Sequence, residues 1–159
     1  MSVSVAETTN VGMAQVRVAR DSGQLVAVLG SCVGVAVFHP ESHIGALAHV
    51  VLPDSGGRGG SPSKYADTVL PLLIQLLGEA GARQGPYVVK LAGGASMFGR
   101  PGNASIGEKN VRAILAAAER AGLTIAAKHL GGGKGRRVML DCATGNFTVQ
   151  IVGDSPILL

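Results

Sequence analysis

The sequence predicts an α/β sandwich in which two to three helices pack on a mostly antiparallel β-sheet. Two observations predict this fold class. Short apolar runs, bounded by glycine, proline or polar residues, recur along the chain and are typical of strands. Only two stretches have the length and the start and stop signals of a helix, and they lie between groups of strands.

Eight apolar segments are predicted as strands. They cover residues 14–19, 25–29, 33–38, 44–52, 87–92, 124–130, 138–141 and 147–152. Residues 143–146, with the sequence Ala-Thr-Gly-Asn, separate the last two segments and supply the turn of a hairpin. The order of strands, helix, strand, helix and strands fits a sandwich better than a regular alternation of strands and helices.

Two segments are predicted as helices. The first covers residues 64–79, with Ser63 as its N-cap and Gly81 as its stop. Pro71 lies inside this helix and predicts a kink or a late start. The second covers residues 108–121. Its apolar residues share one face and are Val111, Ile114, Leu115 and Ala118.

Length and composition favour one domain, residues 1–159, without insertion into a membrane. Hydrophobic residues make up 47% of the chain and aromatic residues 3%, so the core consists of aliphatic side chains. The most apolar window, residues 69–77, contains Pro71 and Gln75 and is about half the length of a membrane span. The first residues lack the pattern of a signal peptide. We therefore expect a soluble, cytoplasmic protein whose cysteines, Cys32 and Cys142, are free thiols.

The charge of the chain predicts an acidic protein partner. The net charge is +4, and much of the excess surrounds a glycine-rich segment. The basic residues there are Lys128, Lys134, Arg136 and Arg137. Nucleic-acid-binding proteins usually add aromatic side chains for stacking or a recognition helix, and neither is visible. We therefore expect no nucleic acid as a partner.

Two common ligand sites are disfavoured. Residues 131–134 resemble a phosphate-binding loop, but position 128 is lysine where the pattern requires glycine. Lys134 is also not followed by serine or threonine. His39, His43 and His49 lie near Cys32 in sequence and raise the question of zinc. Since His39 and His43 flank a turn, we expect them to be solvated, and we expect neither a metal nor a cofactor.

Cys32 follows the turn Gly30-Ser31 at the end of one predicted strand, and His49 lies near the end of another. A thiol beside an imidazole is the minimum arrangement of a cysteine nucleophile with its base. A second interpretation stays open for each residue, since cysteines often only pack and buried histidines often bind the backbone. Cys142, on a late strand, is interpreted as a packing residue.

Several motifs, in order and spacing, resemble one known family. They are LGSCV at 29–33, GALAHVVLPDSGG at 45–57, KYADT at 64–68, AGGASMF at 92–98 and IGEKNV at 106–111. Weaker similarity follows at 131–132, at 136–138 and at 144–145. These motifs resemble CheD, the chemoreceptor glutamine deamidase family, over nearly the whole chain beyond the first dozen residues.

The resemblance implies a fold, an activity and partners. It implies an α/β sandwich remotely similar to a bacterial toxin deamidase and to papain-like thiol enzymes. It also implies hydrolysis of glutamine side chains to glutamate on the cytoplasmic helices of methyl-accepting chemotaxis receptors. Those acidic helices agree with the basic charge of the chain. Family members also bind the phosphatase CheC, so a CheC-type phosphatase is an expected partner.

The resemblance further implies roles for particular residues. Cys32 would be the nucleophile and His49 its base, while N–H groups around Gly30, Ser31 and Cys32 would hold the oxyanion. Ser31 is also interpreted as a turn residue. Independently of the resemblance, Met97 and Phe98 lie in a loop too rich in glycine to bury them easily, so we expect them to contact the partner or substrate, or else to belong to the core.

One position departs from the family. Its third catalytic member is a threonine six residues before the cysteine, where this chain has Val26. Valine cannot orient an imidazole by a hydrogen bond, so a backbone carbonyl, Ser31 or Thr68 would have to replace it, or activity would fall. On this ground Val26→Thr is expected to speed the reaction. The alternatives are a low-activity CheD-like module that regulates a CheC-type phosphatase or receptor, and a thiol protease or transamidase of the same fold.

Overall fold

The computed structural model describes residues 7–96 and 105–159, which form two stacked β-sheets with two helices. The first sheet contains, in spatial order, β1 (Thr8–Asn10), β3 (Gln24–Leu29), β8 (Arg136–Asp141), β9 (Asn146–Gln150) and β10 (Ile157–Leu158). The second contains β2 (Val16–Arg20), β5 (Ile44–Val50), β4 (Val33–His39), β6 (Val88–Gly93) and β7 (Ile125–Leu130). Only the pairs β1–β3 and β6–β7 are parallel in the described sheets, so the predicted, mostly antiparallel sandwich is confirmed.

The second sheet is the middle layer because its central strands are buried on both faces. All seven residues of β4 and all seven of β5 are buried. Val33, Val35 and Val37 join the core on the side of the helices. Ala36 and Phe38, which point the other way, join the core between the two sheets. The two-sided burial explains why these strands have continuous apolar runs rather than alternation.

Helix α1 (Ala66–Glu79) begins two residues later than the sequence predicts. A short 3₁₀ turn, Pro62–Lys64, precedes it, and its N-cap is Tyr65 rather than Ser63. The hydroxyl of Ser63 instead donates a hydrogen bond to the Ala14 carbonyl, which ties this turn to the segment before β2. The helix continues past Pro71 to its predicted end.

Helix α2 (Ile106–Arg120) begins two residues earlier than predicted. Ser105 caps it, because its side-chain oxygen accepts a hydrogen bond from the N–H of Glu108 at 3.2 Å. Neither helix in the described part of the chain is long and apolar enough to span a membrane.

Candidate active site

Cys32 lies in the turn that joins β3 to β4, beside the core between the two sheets. Its side chain is 8% exposed and packs in the same apolar cluster as Leu29 and Ala36. Burial raises the pKa of the Cys32 thiol above its ordinary value, because the charged thiolate loses hydration there. The thiol is therefore protonated at neutral pH and needs a base to become a nucleophile.

His49 is on β5, and sheet register brings it close to Cys32. Gly34 pairs with His49, and Val33 pairs with Val50. Extended by one residue, this register makes Cys32 and His49 diagonal neighbours, whose backbones are typically about 7–8 Å apart in an antiparallel pair. Both side chains lie on the face toward the first sheet, since Cys32 packs in that core and His49 is two residues after the inward-facing Leu47 on β5. No hydrogen bond joins their side chains in the described structure.

The Val11 carbonyl orients the imidazole of His49. It accepts a hydrogen bond from Nδ1 at 3.0 Å. A carbonyl oxygen only accepts, so Nδ1 carries the proton, and in the neutral ring Nε2 is left as the acceptor. The backbone of His49 is also held, because its carbonyl accepts from Ala14 at 2.9 Å and its N–H donates to Gln15 at 3.0 Å. The ring is 4% exposed, so its orientation is protected from solvent.

Val26 contributes through its backbone rather than its side chain. Its carbonyl accepts a hydrogen bond from the Val11 N–H at 2.7 Å, so it helps to place the group that orients His49. Its side chain alternates with Leu25 and Ala27, which face the core that contains Cys32. It therefore lies on the opposite face of the sheet, where Val26 is 7% exposed and its neighbour Val28 is 68% exposed.

A backbone carbonyl, Ser31 and Thr68 were the three groups expected to orient His49 in place of the missing threonine. In the structure, the backbone carbonyl of Val11 is the one that bonds the His49 ring. Thr68 is committed elsewhere, because its hydroxyl donates to the Pro62 carbonyl at 2.7 Å. The Ser31 side chain makes no hydrogen bond with the residues that the structure describes. Nothing in the sequence marks the Val11 carbonyl for this role, since every residue has a backbone carbonyl.

The structure consequently revises the expected effect of Val26→Thr. A hydroxyl at this position lies on the outer face of the sheet and cannot reach an imidazole on the inner face. We expect the deamidation rate of this variant to stay within about twofold of the parent, since no interaction with the reacting groups changes. The measurement is kcat under matched conditions. A several-fold faster enzyme would contradict the assignment of the orienting role to the Val11 carbonyl.

Backbone contacts fix the turn that carries Cys32. The carbonyl of Gly30 accepts from the N–H of Ala95 at 3.0 Å, and the carbonyl of Cys32 accepts from Gly94 at 2.8 Å. Among the described hydrogen bonds, none is donated by the N–H of Ser31 or of Cys32. These two donors flank the thiol in the sequence, and their role toward a developing oxyanion stays a prediction.

Asn110, on α2, is a site residue that the sequence analysis did not single out. Its side-chain Nδ2 donates to the carbonyls of Ser31 and Val51, each at 3.0 Å. The residue is fully buried. The signal in the sequence that would have identified it is a polar residue on the same helix face as the apolar Ile114 and Ala117.

The loop after β5 is held by an acidic side chain. The Ser55 hydroxyl donates to Oδ2 of Asp67 at 2.9 Å, and the Ser55 N–H donates to Oδ1 at 3.0 Å. Burial by itself raises the pKa of Asp67, but these hydrogen bonds outweigh it, and the net pKa shift is downward. The motif Pro53-Asp54-Ser55 is therefore tied to the start of α1, close to the strand that carries His49.

His39 is buried rather than solvated, because its ring nitrogens contact Oγ of Ser42 at 2.6 Å and the Gln84 carbonyl at 2.8 Å. In the described ranges, no three histidine, cysteine, aspartate or glutamate residues are grouped to hold a metal ion. Met97 and Phe98 lie outside the described residues, so their predicted role stays a prediction.

Arg136 differs from the other basic residues near the glycine-rich segment. It is 3% exposed, and its guanidinium donates to the carbonyls of His129, Gly131 and Lys134. Burial lowers the pKa of this guanidinium from its usual high value. Arg136 therefore shapes the loop from within, and the charge available to a partner comes from the exposed Lys128, Lys134 and Arg137.

Comparison with known proteins assigns the family. The model of the family described as CheD chemotactic sensory transduction matches residues 51–151. The Chemoreceptor glutamine deamidase CheD of Thermotoga maritima is 40% identical over 144 residues, which cover 90% of this chain and 91% of the relative. A probable chemoreceptor glutamine deamidase CheD from Symbiobacterium thermophilum is 40% identical over 151 residues, 90% of this chain and 92% of the relative. A further one, from Desulfitobacterium hafniense strain DCB-2, is 35% identical over 153 residues, 93% of this chain and 96% of the relative. With relatives this similar over nearly its full length, the chain belongs to the CheD family.

Proposed function

We propose that this protein is a glutamine deamidase that converts glutamines on the cytoplasmic helices of chemotaxis receptors to glutamates. The observation that carries the proposal is the neighbourhood of Cys32 and His49 in a CheD-family chain, with Nδ1 of the imidazole on the Val11 carbonyl. That hydrogen bond leaves Nε2 as the proton acceptor, which is the requirement for a base beside a neutral thiol.

The first half of the reaction forms a thioester. Nε2 of His49 takes the proton of Cys32, and the sulfur attacks the carbon of the glutamine carboxamide, so that a C–S bond forms. The carbonyl oxygen becomes an oxyanion, to which the N–H groups of Ser31 and Cys32 donate. The protonated His49 then gives its proton to the departing nitrogen. The C–N bond breaks, and ammonia leaves.

The second half releases glutamate. A water molecule gives a proton to Nε2 of His49 while its oxygen attacks the thioester carbon. The C–S bond breaks, and the proton returns to the sulfur of Cys32. The cycle consumes one water and releases one ammonia for each glutamine, and it requires no cofactor or metal.

We infer the setting and the partners from the same site. A protein that acts on the cytoplasmic part of receptors is itself cytoplasmic, and a reducing compartment keeps Cys32 and Cys142 as thiols. The exposed Lys128, Lys134 and Arg137 favour an acidic surface on the partner. We include a CheC-type phosphatase among the partners, and one domain, residues 1–159, as the unit that carries the activity.

The test is incubation of the protein with a purified receptor cytoplasmic domain, followed by mass spectrometry of every glutamine-containing peptide. We expect the peptides that contain specific glutamines to increase in mass by the difference between a carboxylic acid and a carboxamide. Cys32→Ser should show no conversion above background. Cys142→Ser is the matched control and should keep the activity, because Cys142 is fully buried and its N–H bonds the Gly23 carbonyl, at the end of β3 opposite to Cys32.

A second candidate function is a binding module that regulates a CheC-type phosphatase or the receptor with little turnover. The raised pKa of the Cys32 thiol favours it, because a protonated, buried thiol is inert until a base engages it. The same experiment separates the two candidates. Intact glutamines together with receptor or phosphatase binding would support the module and contradict the enzyme.

A further inference from the structure

Building on the proposed function, we propose that Asn110 is a positioning residue of the catalytic turn, whose side-chain amide aims the Cys32 N–H at the oxyanion of the reaction. The observation behind it is a double hydrogen bond. Nδ2 of Asn110 donates at 3.0 Å to the Ser31 carbonyl and at 3.0 Å to the Val51 carbonyl. Since both neighbours are carbonyl oxygens, only the NH₂ side of the amide can face them.

The Ser31–Cys32 peptide bond links the group that Asn110 holds to the N–H beside the thiol. The Ser31 carbonyl and the Cys32 N–H belong to one planar trans peptide, so they point in opposite directions. A partner that holds the carbonyl therefore sets the direction of the N–H. The Cys32 N–H has no acceptor among the described residues, and it adjoins the sulfur that attacks the substrate.

Among the described residues, Asn110 is the one whose side chain bonds the peptide between Ser31 and Cys32. The preceding carbonyl, of Gly30, accepts from the backbone of Ala95, and the following carbonyl, of Cys32, accepts from the backbone of Gly94. Those two contacts join backbone groups and do not depend on the side chain of residue 110. The contact to the Ser31 carbonyl does, so the direction of the peptide between Ser31 and Cys32 depends on the identity of residue 110.

Asn110 also contacts the chain segment that follows His49. Val51 is two residues after His49 and follows the end of β5, while Ser31 immediately precedes Cys32. One amide group thus bridges the turn of the nucleophile and the strand of the base. Helix α2 comes close enough to do this because of Gly107, where a Cβ atom would collide with the Ala95 carbonyl.

The buried side-chain amide of Asn110 has hydrogen-bond partners on its NH₂ side only in the described structure. Asn110 is fully buried, and its Oδ1 has no hydrogen-bond partner in the described structure. A buried acceptor without a partner is unfavourable, and an apolar residue on this otherwise apolar helix face would avoid it. What asparagine provides and an apolar residue would not is the pair of hydrogen bonds to the carbonyls of Ser31 and Val51.

The test compares two reactions of Cys32 that differ in whether an oxyanion forms. With p-nitrophenyl acetate, the sulfur attacks a carbonyl carbon, an oxyanion forms, and p-nitrophenolate leaves as the C–O bond breaks. With iodoacetamide, the sulfur attacks a saturated carbon and displaces iodide, and no oxyanion forms. The ratio of the two rates at one pH therefore isolates the contribution of the N–H donors from that of the thiolate. Peptide mass spectrometry assigns both products to Cys32.

We expect Asn110→Ala and Asn110→Leu to lower the acylation rate about tenfold or more, while alkylation stays within about twofold. Leucine keeps the volume of the side chain, so a folded variant is available even where alanine destabilises the helix. Val111→Ala is the matched control. Val111 is the next residue on α2, packs toward Gly94 and donates no side-chain hydrogen bond. Its ratio of the two rates should equal that of the parent.

The proposal is overturned by an unchanged ratio in the Asn110 variants, by an equal fall of both rates, or by the absence of acylation in the parent protein. The assay contains no receptor. If the parent leaves receptor glutamines intact but the ratio falls as expected, the proposed function fails and the role of Asn110 stands. If the parent deamidates the receptor and the ratio is unchanged, only the role of Asn110 fails.

Discussion

His49→Gln should lower kcat for receptor deamidation about 10³-fold at neutral pH, because it removes the base beside a neutral thiol. In the parent protein, Nε2 of His49 accepts the proton of Cys32, and the Val11 carbonyl keeps that nitrogen unprotonated in the neutral ring. Glutamine has no group that accepts and returns a proton in this range of pH. The loss should appear in kcat more than in KM, because the base acts on the reacting atoms.

The pH dependence of the residual activity of His49→Gln shows whether the loss of kcat comes from the loss of a base. Burial raises the pKa of the Cys32 thiol, so the thiolate fraction at neutral pH is smaller than that of a solvated cysteine. Without the histidine, the nucleophile forms only as bulk pH approaches this raised pKa. The activity of His49→Gln should therefore rise about tenfold for each pH unit through the neutral range. A residual activity that is flat with pH would contradict the role of His49 as the base.

His39→Gln is the matched control for this prediction. His39 is also a buried histidine of the second sheet, 6% exposed, with both ring nitrogens hydrogen-bonded. It lies at the end of β4 that is farthest from Cys32. We expect the control to lose stability without a change in kcat beyond about twofold, so that a similar loss of kcat in both variants would point to unfolding rather than chemistry.

The central strands and the candidate nucleophile and base could be predicted from sequence because strong local signals mark them. The apolar runs of β3 and β4 end at glycine or at a turn, and both strands are observed within one residue of the predicted bounds. The order and spacing of the cysteine and histidine motifs then identified the family. The catalytic roles of Cys32 and His49 stay predictions, which the variants above test.

The rest of the structure depends on contacts between distant segments. The edge strand β1 is a polar three-residue segment, Thr-Thr-Asn, that is ordered by pairing with β3 and has no periodic pattern of its own. The Ser63 hydroxyl looked like a helix cap but bonds the distant Ala14 carbonyl instead. The group that orients His49 is likewise a backbone carbonyl from a segment 38 residues away, so no side-chain motif announces it.

Gly93→Ala should inactivate the protein more strongly than it destabilises it, because the added Cβ would collide with the backbone of the nucleophile. Gly93 has a φ of +109°, which alanine adopts only with strain, and its Cβ would overlap the Cys32 carbonyl oxygen. Relief requires a shift of the turn that carries Cys32, since the obstructing atom is backbone. We expect a loss of about 2–4 kcal/mol in the free energy of unfolding and at least about a 10²-fold loss of kcat.

Two other glycines separate the causes of that loss. Gly78, inside α1, has neither a positive φ nor a neighbour within 4 Å of the added Cβ, so Gly78→Ala should be neutral or stabilising by up to about 1 kcal/mol. Gly122 has a φ of +69° and no such neighbour, so Gly122→Ala should lose only the strain term of about 1–2 kcal/mol. Chemical denaturation gives the three stabilities, and kcat should fall in Gly93→Ala alone. If Gly122→Ala lost activity to the same degree, a general loss of stability would explain the effect. If Gly93→Ala kept its activity, the turn that carries Cys32 would tolerate the collision, and the position of Cys32 would not depend on a glycine at residue 93.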